Sequence, residues 1–318
     1  MLTVETSPKS DAGFLVNSTH WLGTKRLLRV FPRRTNATPD DPLSIVGRSP
    51  ELFDEADVVQ ISVAFEWDIP KAECLAKQWE CVAPVSVGGP ALRDVGSEFT
   101  PGLYLKPGYT ITSRGCPNRC WFCRAWKIEG NTVRELEVKD GWNVLDNNLL
   151  ACSQEHQRTV FEMLARQPRR PVFTGGLEAA RLTAWHVEWL ARLRPKVMWF
   201  AYDEARDWEP LVAAANLLRE AGLISAAHEA GCFVLCGWKG DKIEDADERC
   251  VSAARLGFFP QAMLYDRGRM QPVSERKAWV RFARTWSNKI IVGAKMRDLA
   301  AAVPNDSGQR YEAATGRG

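Results

Sequence analysis

Cys116, Cys120 and Cys123 are the residues of this chain whose type and spacing most directly indicate chemistry. They form a Cys-x3-Cys-x2-Cys pattern, and three thiolates at these intervals suit three irons of a four-iron cluster, which leaves the fourth iron open to another ligand. Structural zinc normally takes four protein ligands in two pairs, and no second pair lies near these cysteines. The pattern therefore predicts an iron–sulfur cluster that binds a further molecule; the alternative is three unrelated thiols on one loop.

This loop resembles the cluster loop of radical S-adenosylmethionine (radical SAM) enzymes, because both cysteine intervals agree and an aromatic residue, Phe122, precedes the last cysteine. The resemblance implies a [4Fe–4S] cluster whose open iron is chelated by the amino and carboxylate groups of SAM. It implies that the reduced cluster cleaves SAM to methionine and a 5′-deoxyadenosyl radical, which abstracts hydrogen from a substrate. The position that Phe122 matches lies near the adenine in that family.

The resemblance covers roughly residues 106–290. Within the family, the chain resembles a compact subgroup that is found in bacteria and their phages and whose substrates are not generally defined. The resemblance therefore implies an enzyme without naming its reaction, and the substrate class stays open between a small molecule, a peptide and a nucleic acid. It also implies an electron donor such as flavodoxin or ferredoxin.

The composition is that of an ordinary globular chain, with 318 residues, 45% hydrophobic residues, 25% charged residues and a net charge of +3. No apolar run is long enough for a membrane span, and the amino terminus lacks the features of a signal peptide. Nine cysteines, an odd number, do not fit a secreted disulfide framework. We therefore expect a cytoplasmic protein with no membrane partner, a location that also suits an oxygen-sensitive cluster.

Residues 1–105 are expected to form a small α/β region of Rossmann-like type. Residues 26–31, 57–65 and 84–87 are rich in β-branched and large apolar residues and read as strands, and residues 69–79 carry apolar side chains at helical spacing. Strand, helix and strand in succession make a parallel unit. We expect this region to be an appendage to a larger domain.

Residues 106–302 are expected to form that larger domain. Six strands are predicted, at residues 109–113, 142–145, 171–174, 197–201, 232–236 and 261–265. Helices follow most of them, and Ser153 and Thr183 are predicted to cap two. With the resemblance, this alternation implies an α/β fold with a partial (β/α)6 TIM-like barrel, whose site lies at the carboxyl ends of the strands. Residues 303–318 are polar and are expected to be disordered.

The residues predicted to bind the amino group of SAM leave two alternatives. Many members of the family carry Gly-Gly-Glu after the second strand, whereas here Asp146 and Asn147 follow the second strand, and Gly175 and Gly176 follow the third. Leu177 occupies the usual glutamate position. Either our count of strands includes one too many, or Asp146 and Asn147 make the contact with the amino group of SAM in place of the glycines. We favour the second alternative, because an ammonium group needs carboxylate or other oxygen acceptors. A tight turn is the alternative for the glycines.

The residues at the other strand ends are assigned roles by resemblance to the family, according to the order of the strands along the chain. Asp203, after the fourth strand, matches a position that often binds the ribose hydroxyls, although a plain turn is an alternative. Gly237, after the fifth, lies where the family approaches the adenine, and Met263, in the sixth, lies where a backbone hydrogen-bonds the adenine edge. The polar candidates for contact with a substrate are Glu178, Arg181 and Tyr265, together with Asp203.

Some radical SAM enzymes carry an amino-terminal cobalamin domain, and the first region matches its motif in part. His20, Ser62 and Gly88-Gly89 occur in the expected order, but Ser18 stands where the family has an aspartate that orients the ligating histidine. The region is also short for that domain. We therefore expect no cobalamin.

Two alternatives to the leading interpretation stay open. Cobalamin-assisted methyl transfer or nucleic-acid modification would be distinguished by cobalamin that copurifies with the chain. A non-enzymatic iron–sulfur redox sensor would bind nucleic acid through the basic residues of segment 25–34, with a steep dependence on salt and no turnover of SAM. The alternation of strands and helices disfavours the sensor, because a small redox sensor would not need six β/α units.

Overall fold

The computed structural model describes residues 25–96, 98–224, 229–268 and 271–301. It divides into two compact units, one ending at Gly175 and the other beginning at Gly176. The predicted domain boundary at residues 105 and 106 therefore stays a prediction. The predicted tail at 303–318, and Ser18 and His20 of the partial cobalamin motif, lie outside the described residues.

The first unit begins with a parallel four-stranded sheet. Its strands are β1 (Leu27–Phe31), β2 (Ser44–Val46), β3 (Val58–Ser62) and β4 (Val85–Gly88), in the order β2-β1-β3-β4. Helix α1 (Ile69–Trp79) connects β3 to β4 and buries Leu75 and Trp79 against Val30 and Ile61 of the sheet. The predicted parallel unit is confirmed. The sequence missed β2, because three residues among turn-forming ones carry no periodic signal.

The rest of the first unit holds the cysteine loop. Its elements are β5 (Tyr109–Thr110), β6 (Ser113–Arg114), α2 (Ala125–Glu129), β7 (Arg134–Glu135), β8 (Asn143–Val144), α3 (Gln154–Ala165) and β9 (Val172–Phe173). Strand β8 pairs in parallel with both β5 and β9, whereas β6 and β7 form an antiparallel pair that encloses the cysteine loop. Ser153 caps α3 by accepting a hydrogen bond from the backbone N–H of His156, as predicted.

The second unit continues the alternation. Its elements are α4 (Ala184–Leu193), β10 (Val197–Ala201), α5 (Trp208–Glu220), β11 (Ala230–Cys236), α6 (Ile243–Arg255), β12 (Phe259–Leu264), α7 (Val273–Ser287) and α8 (Lys289–Ala301). Strand β11 pairs in parallel with β10 and β12. Thr183 forms a capping box with His186 at the start of α4, which confirms the predicted cap.

Five of the six strands predicted after residue 106 are present at slightly different bounds, whereas the first, predicted at 109–113, is split into β5 and β6, which lie in different sheets. The fold is a mixed α/β fold with parallel sheets. Across the described ranges no sheet closes on itself, and the partial barrel stays a prediction. No described helix combines the length and the apolar character that a membrane crossing requires.

Candidate metal centre

The cysteine loop is held by its own backbone. The backbone N–H of Cys116 donates to the carbonyl of Gly130 at 3.1 Å, and that of Cys123 donates to the carbonyl of Cys120 at 3.1 Å. The indole of Trp126, in α2, donates to the same Cys120 carbonyl at 2.9 Å. None of the three cysteines forms a disulfide among the described residues, and all three are half-buried on one short, internally bonded segment.

Gly115 joins β6 to the loop in a conformation that only glycine adopts easily. Its φ is +87°, and a Cβ at this position would lie 2.2 Å from the carbonyl oxygen of Thr132. Its backbone N–H donates to Oδ1 of Asn147 at 2.8 Å. Asn147 therefore fixes the start of the loop from the end of β8.

Asp146 is the second contact between the end of β8 and the chain before the loop. Its carboxylate is 1% exposed. It accepts hydrogen bonds from the backbone N–H of Thr112 at 2.6 Å, from the Thr112 hydroxyl at 2.6 Å and from the Ser113 hydroxyl at 2.8 Å. Burial raises the pKa of Asp146, and these hydrogen bonds oppose that rise. Both oxygens are thus engaged within the protein, and the contact with the amino group of SAM stays a prediction.

The residues around the loop offer three sulfur ligands and one hydrogen bond to sulfur, which an iron–sulfur cluster can use. Within the described ranges, no three or more His, Cys, Asp or Glu side chains converge to hold one ion. A four-iron cluster takes each thiolate on a different iron, so its ligands need not converge. Asn148, which is 5% exposed, directs its side-chain N–H at Sγ of Cys116 at 3.6 Å. Hydrogen bonds to sulfur stabilise the thiolate form that ligates iron.

Phe122 lies half-buried beside the last cysteine. Its ring makes an edge-to-face contact with Trp121, with centroids 5.3 Å apart. Arg119, inside the loop, has a φ of +48°, a left-handed conformation that non-glycine residues seldom adopt and that is concentrated at functional sites. The expected position of Phe122 near an adenine stays a prediction.

The glycine pair after β9 makes a tight turn with a close backbone approach. The backbone N–H of Gly175 donates to the carbonyl of Val144 at 3.0 Å, and a Cβ on Gly175 would lie 2.2 Å from the carbonyl oxygen of Asp146. Gly176 has a φ of +93°, and Leu177 is buried. Both glycines therefore have a structural reason to be glycine. Their contact with SAM stays a prediction.

In the second unit, Asp203 connects the ends of two neighbouring strands. It follows β10, and its Oδ1 accepts a hydrogen bond from the backbone N–H of Leu235 in β11 at 2.9 Å. Burial, reinforced by the charges of Asp207 and Glu204, raises its pKa to about 7. A carboxyl group with this pKa is partly protonated near neutral pH. Its contact with the ribose hydroxyls stays a prediction.

Gly237 follows β11 directly, with a φ of +74°, and its backbone N–H donates to Oδ2 of Asp241 at 2.7 Å. A Cβ there would lie 2.5 Å from the side chain of Leu264. Asp241 is itself buried and pairs with Arg249 at 3.1 Å. Sequence reasoning did not single out this pair, although Asp241 lies in the same strand-end segment as Gly237.

The other three substrate candidates, besides Asp203, differ in their surroundings. Glu178 and Arg181 form an ion pair with each other at 2.7 Å. Tyr265 is half-buried at the start of a short 3-10 helix, and Met263, just before it in β12, is 45% exposed. Their contacts with a substrate or with SAM stay predictions.

No protein-family model matches this chain, and no curated protein sequence matches it. Among solved structures, the chain is similar to the radical S-adenosylmethionine methyltransferase TsrM from Kitasatospora setae, whose structure has cobalamin and a [4Fe–4S] cluster bound. The TM-score is 0.51 at 12% sequence identity, over 76% of this chain and 75% of that one. At this identity the likeness concerns the fold alone: the chain has an α/β fold of the kind that this radical SAM protein has.

Proposed function

We propose that the chain is a radical SAM enzyme in which Cys116, Cys120 and Cys123 hold a [4Fe–4S] cluster. The cysteine loop carries the proposal, because its spacing leaves one iron open and it follows β5 and β6, at the place of the first of the six predicted strands. The fold likeness to a radical SAM methyltransferase supports it independently of the cysteines.

The bound cluster would supply the electron that cleaves SAM to methionine and a 5′-deoxyadenosyl radical. This radical would abstract a hydrogen atom from the substrate. The protein holds the reacting groups in place and keeps water away. Asn148 donates a hydrogen bond to the Cys116 sulfur, and Asn147 and Asp146 fix the chain that leads into the loop. Electrons would come from a donor such as flavodoxin or ferredoxin, and the substrate stays open.

Anaerobic reconstitution tests this proposal. The chain is supplied with iron and sulfide, reduced with dithionite and incubated with SAM, and 5′-deoxyadenosine is measured. We expect slow formation of 5′-deoxyadenosine by the wild type and its loss in Cys120→Ala. Cys81→Ala is the matched control, because Cys81 is a free, exposed thiol outside the loop. Protein that takes up zinc in place of iron and sulfide, or that forms no 5′-deoxyadenosine, would contradict the proposal.

Cobalamin-assisted methyl transfer is the second candidate, favoured by the cobalamin bound in the TsrM structure. Ser62 and Gly88 of the partial motif lie at the carboxyl ends of β3 and β4. Reconstitution with hydroxocobalamin distinguishes the candidates. Retention of cobalamin, with formation of S-adenosylhomocysteine and a methylated product, would replace our expectation that cobalamin is absent.

The nucleic-acid sensor receives less support from the basic segment 25–34. Arg29 is buried and pairs with Asp41, and it also donates to the carbonyls of Gly102 and Leu103. Arg33 forms a two-bond ion pair with Asp68 at 2.5 and 2.6 Å. These guanidinium groups are engaged within the protein, which leaves fewer positive charges for phosphate contacts.

A further inference from the structure

A basic groove with a volume of about 520 Å³ runs along α7 to the start of α8, in the second unit. Four of its eight lining residues are basic, and no acidic residue of the described chain lines it. The basic four are Arg276, Lys277, Arg281 and Arg284. Residues 273–301, which contain both helices, have seven Lys and Arg and two Asp and Glu residues, whereas the net charge of the whole chain is only +3. Positive charge is therefore concentrated on this helix pair.

Three of the basic residues lie on one exposed stripe of α7. Lys277, Arg281 and Arg284 follow one another at intervals of four and three residues, which places them on the same face of the helix. All three are exposed. The opposite face of α7 is buried, through Trp279, Phe282 and Trp286. The apolar face therefore anchors the helix in the unit, and the basic face is directed to solvent.

The charges of this stripe are not neutralised within the described part of the chain. Lys277, Arg281 and Arg284 form no ion pair there, whereas Arg29 and Arg33 of segment 25–34 both pair with carboxylates. Like charges at this helical spacing repel each other by about 0.2–0.5 kcal/mol per pair. A bound anion would remove this repulsion, so the stripe is suited to a negatively charged partner.

The length of the stripe favours a polyanion over a single phosphate group. Lys277 and Arg284 are seven residues apart, which is about 10 Å along the helix axis. Double-stranded DNA carries one negative charge per ~1.7 Å of its axis, so a duplex presents about six phosphates over this length. Guanidinium and ammonium groups bind such phosphates without reading the base sequence.

Two other polyanionic partners fit the groove less well. A helix that binds a membrane surface inserts its apolar face into the lipid, but the apolar face of α7 is buried in the protein. Sites for single strands stack the bases on aromatic side chains, and no aromatic residue of the described chain lines this groove. A duplex needs neither an apolar face nor an aromatic platform.

We propose that the basic groove binds the phosphate backbone of a nucleic-acid duplex without sequence preference. Lys277, Arg281 and Arg284 each contact one phosphate. The inference goes beyond the proposed radical chemistry and does not depend on it, because the contacts involve neither the cysteine loop nor SAM. The surface also differs from segment 25–34, whose arginines are engaged within the protein.

Fluorescence anisotropy tests the proposal with the full chain and no SAM. The probes are a labelled duplex of about 20 base pairs, prepared as DNA and as RNA, and one of its strands alone. For the DNA duplex we expect log K to fall with log salt with a slope of about −3, because each phosphate contact contributes about −0.9. Affinity should then fall about fortyfold between ~50 and ~200 mM salt. No binding of either duplex by about 50 μM protein at the lower salt, a slope shallower than about −1, or tighter binding of the single strand would overturn the proposal.

Charge reversal locates the binding surface. Arg281→Glu changes the stripe, and Arg158→Glu is the matched control, because Arg158 is also an exposed arginine inside a helix, α3, and the change in net charge is the same. We expect Arg281→Glu to weaken duplex binding at least tenfold and Arg158→Glu to weaken it less than threefold. Arg284→Glu serves the same purpose if Arg281→Glu does not fold.

Equal losses in the two folded variants would place the duplex elsewhere and overturn the proposal. So would an Arg281→Glu protein that keeps its affinity for the duplex but loses binding to phosphatidylserine vesicles, which would assign the groove to a membrane. Because the readout is binding of a duplex without SAM, failure here is distinct from a failure to form 5′-deoxyadenosine.

Discussion

Replacing Asp146 with alanine should destabilise the first unit and release the cluster. The change removes the acceptor for three hydrogen bonds, two from Thr112 and one from Ser113, and both residues are fully buried. The backbone N–H of Thr112 cannot turn to another acceptor, and a buried donor left unpaired costs about 1–3 kcal/mol. The two hydroxyls can rotate, so each loses less. We expect the free energy of unfolding to fall by about 2–4 kcal/mol, a large part of the ~5–15 kcal/mol of a typical domain.

Asp146→Asn is a milder change than Asp146→Ala, because it keeps hydrogen-bonding atoms at this position. Its amide oxygen can still accept from the N–H of Thr112, and its amide N–H groups can donate to the two hydroxyl oxygens. It also removes the need to bury a carboxylate whose pKa is raised. We therefore expect its free energy of unfolding to stay within about 1 kcal/mol of the wild type, and its cluster to be retained.

Urea unfolding under anaerobic conditions measures the stability, and iron bound per chain measures the cluster. Glu137→Ala is the control, because the side chain of Glu137 is 78% exposed and pairs with Lys139 at the surface. A surface pair of this kind contributes about 0–1 kcal/mol. The reasoning is refuted if Asp146→Ala unfolds at the same urea concentration as Glu137→Ala, or if it keeps the iron content of the wild type.

Three further predictions concern single positions. Gly115→Ala should lower iron retention, because its Cβ would lie 2.2 Å from the Thr132 carbonyl and its φ is +87°; an iron content equal to that of the wild type would contradict this. Asp203 has a pKa raised to about 7, so the folded state binds more protons than the unfolded state between pH 4 and pH 7, and its contribution to stability falls as the pH rises. The stability of Asp203→Asn relative to the wild type should therefore increase as the pH rises from 4 to 7, as measured by urea unfolding. A difference that does not change with pH would count against this prediction. Glu178→Ala should change the free energy of unfolding by less than about 1 kcal/mol, because its ion pair with Arg181 is partly exposed; a marked loss of 5′-deoxyadenosine formation with unchanged stability would support a role in the site.

Local patterns determined much of this protein from the sequence alone. The apolar spacing of residues 69–79 predicted α1 at its observed bounds, and Ser153 and Thr183 predicted the starts of α3 and α4. The apolar run at 197–201 predicted β10. The cysteine intervals predicted the candidate cluster loop. Each of these signals depends on residues within a few positions of one another, because helix periodicity, caps and ligand intervals are local properties of the chain.

Only the tertiary structure decided which side chains meet across long intervals. Asp146 was predicted from its place after the second strand, but its contacts with Thr112 and Ser113 join residues more than thirty positions apart. The pairing of Arg114 with Glu129 and a cavity at the ends of β1 and β3 were likewise decided only by the fold. A strand pattern in the sequence predicts that a residue follows a strand. It does not predict which other strand lies beside that strand in the sheet. That depends on the order of strands in the sheet, which the packing of the whole chain selects.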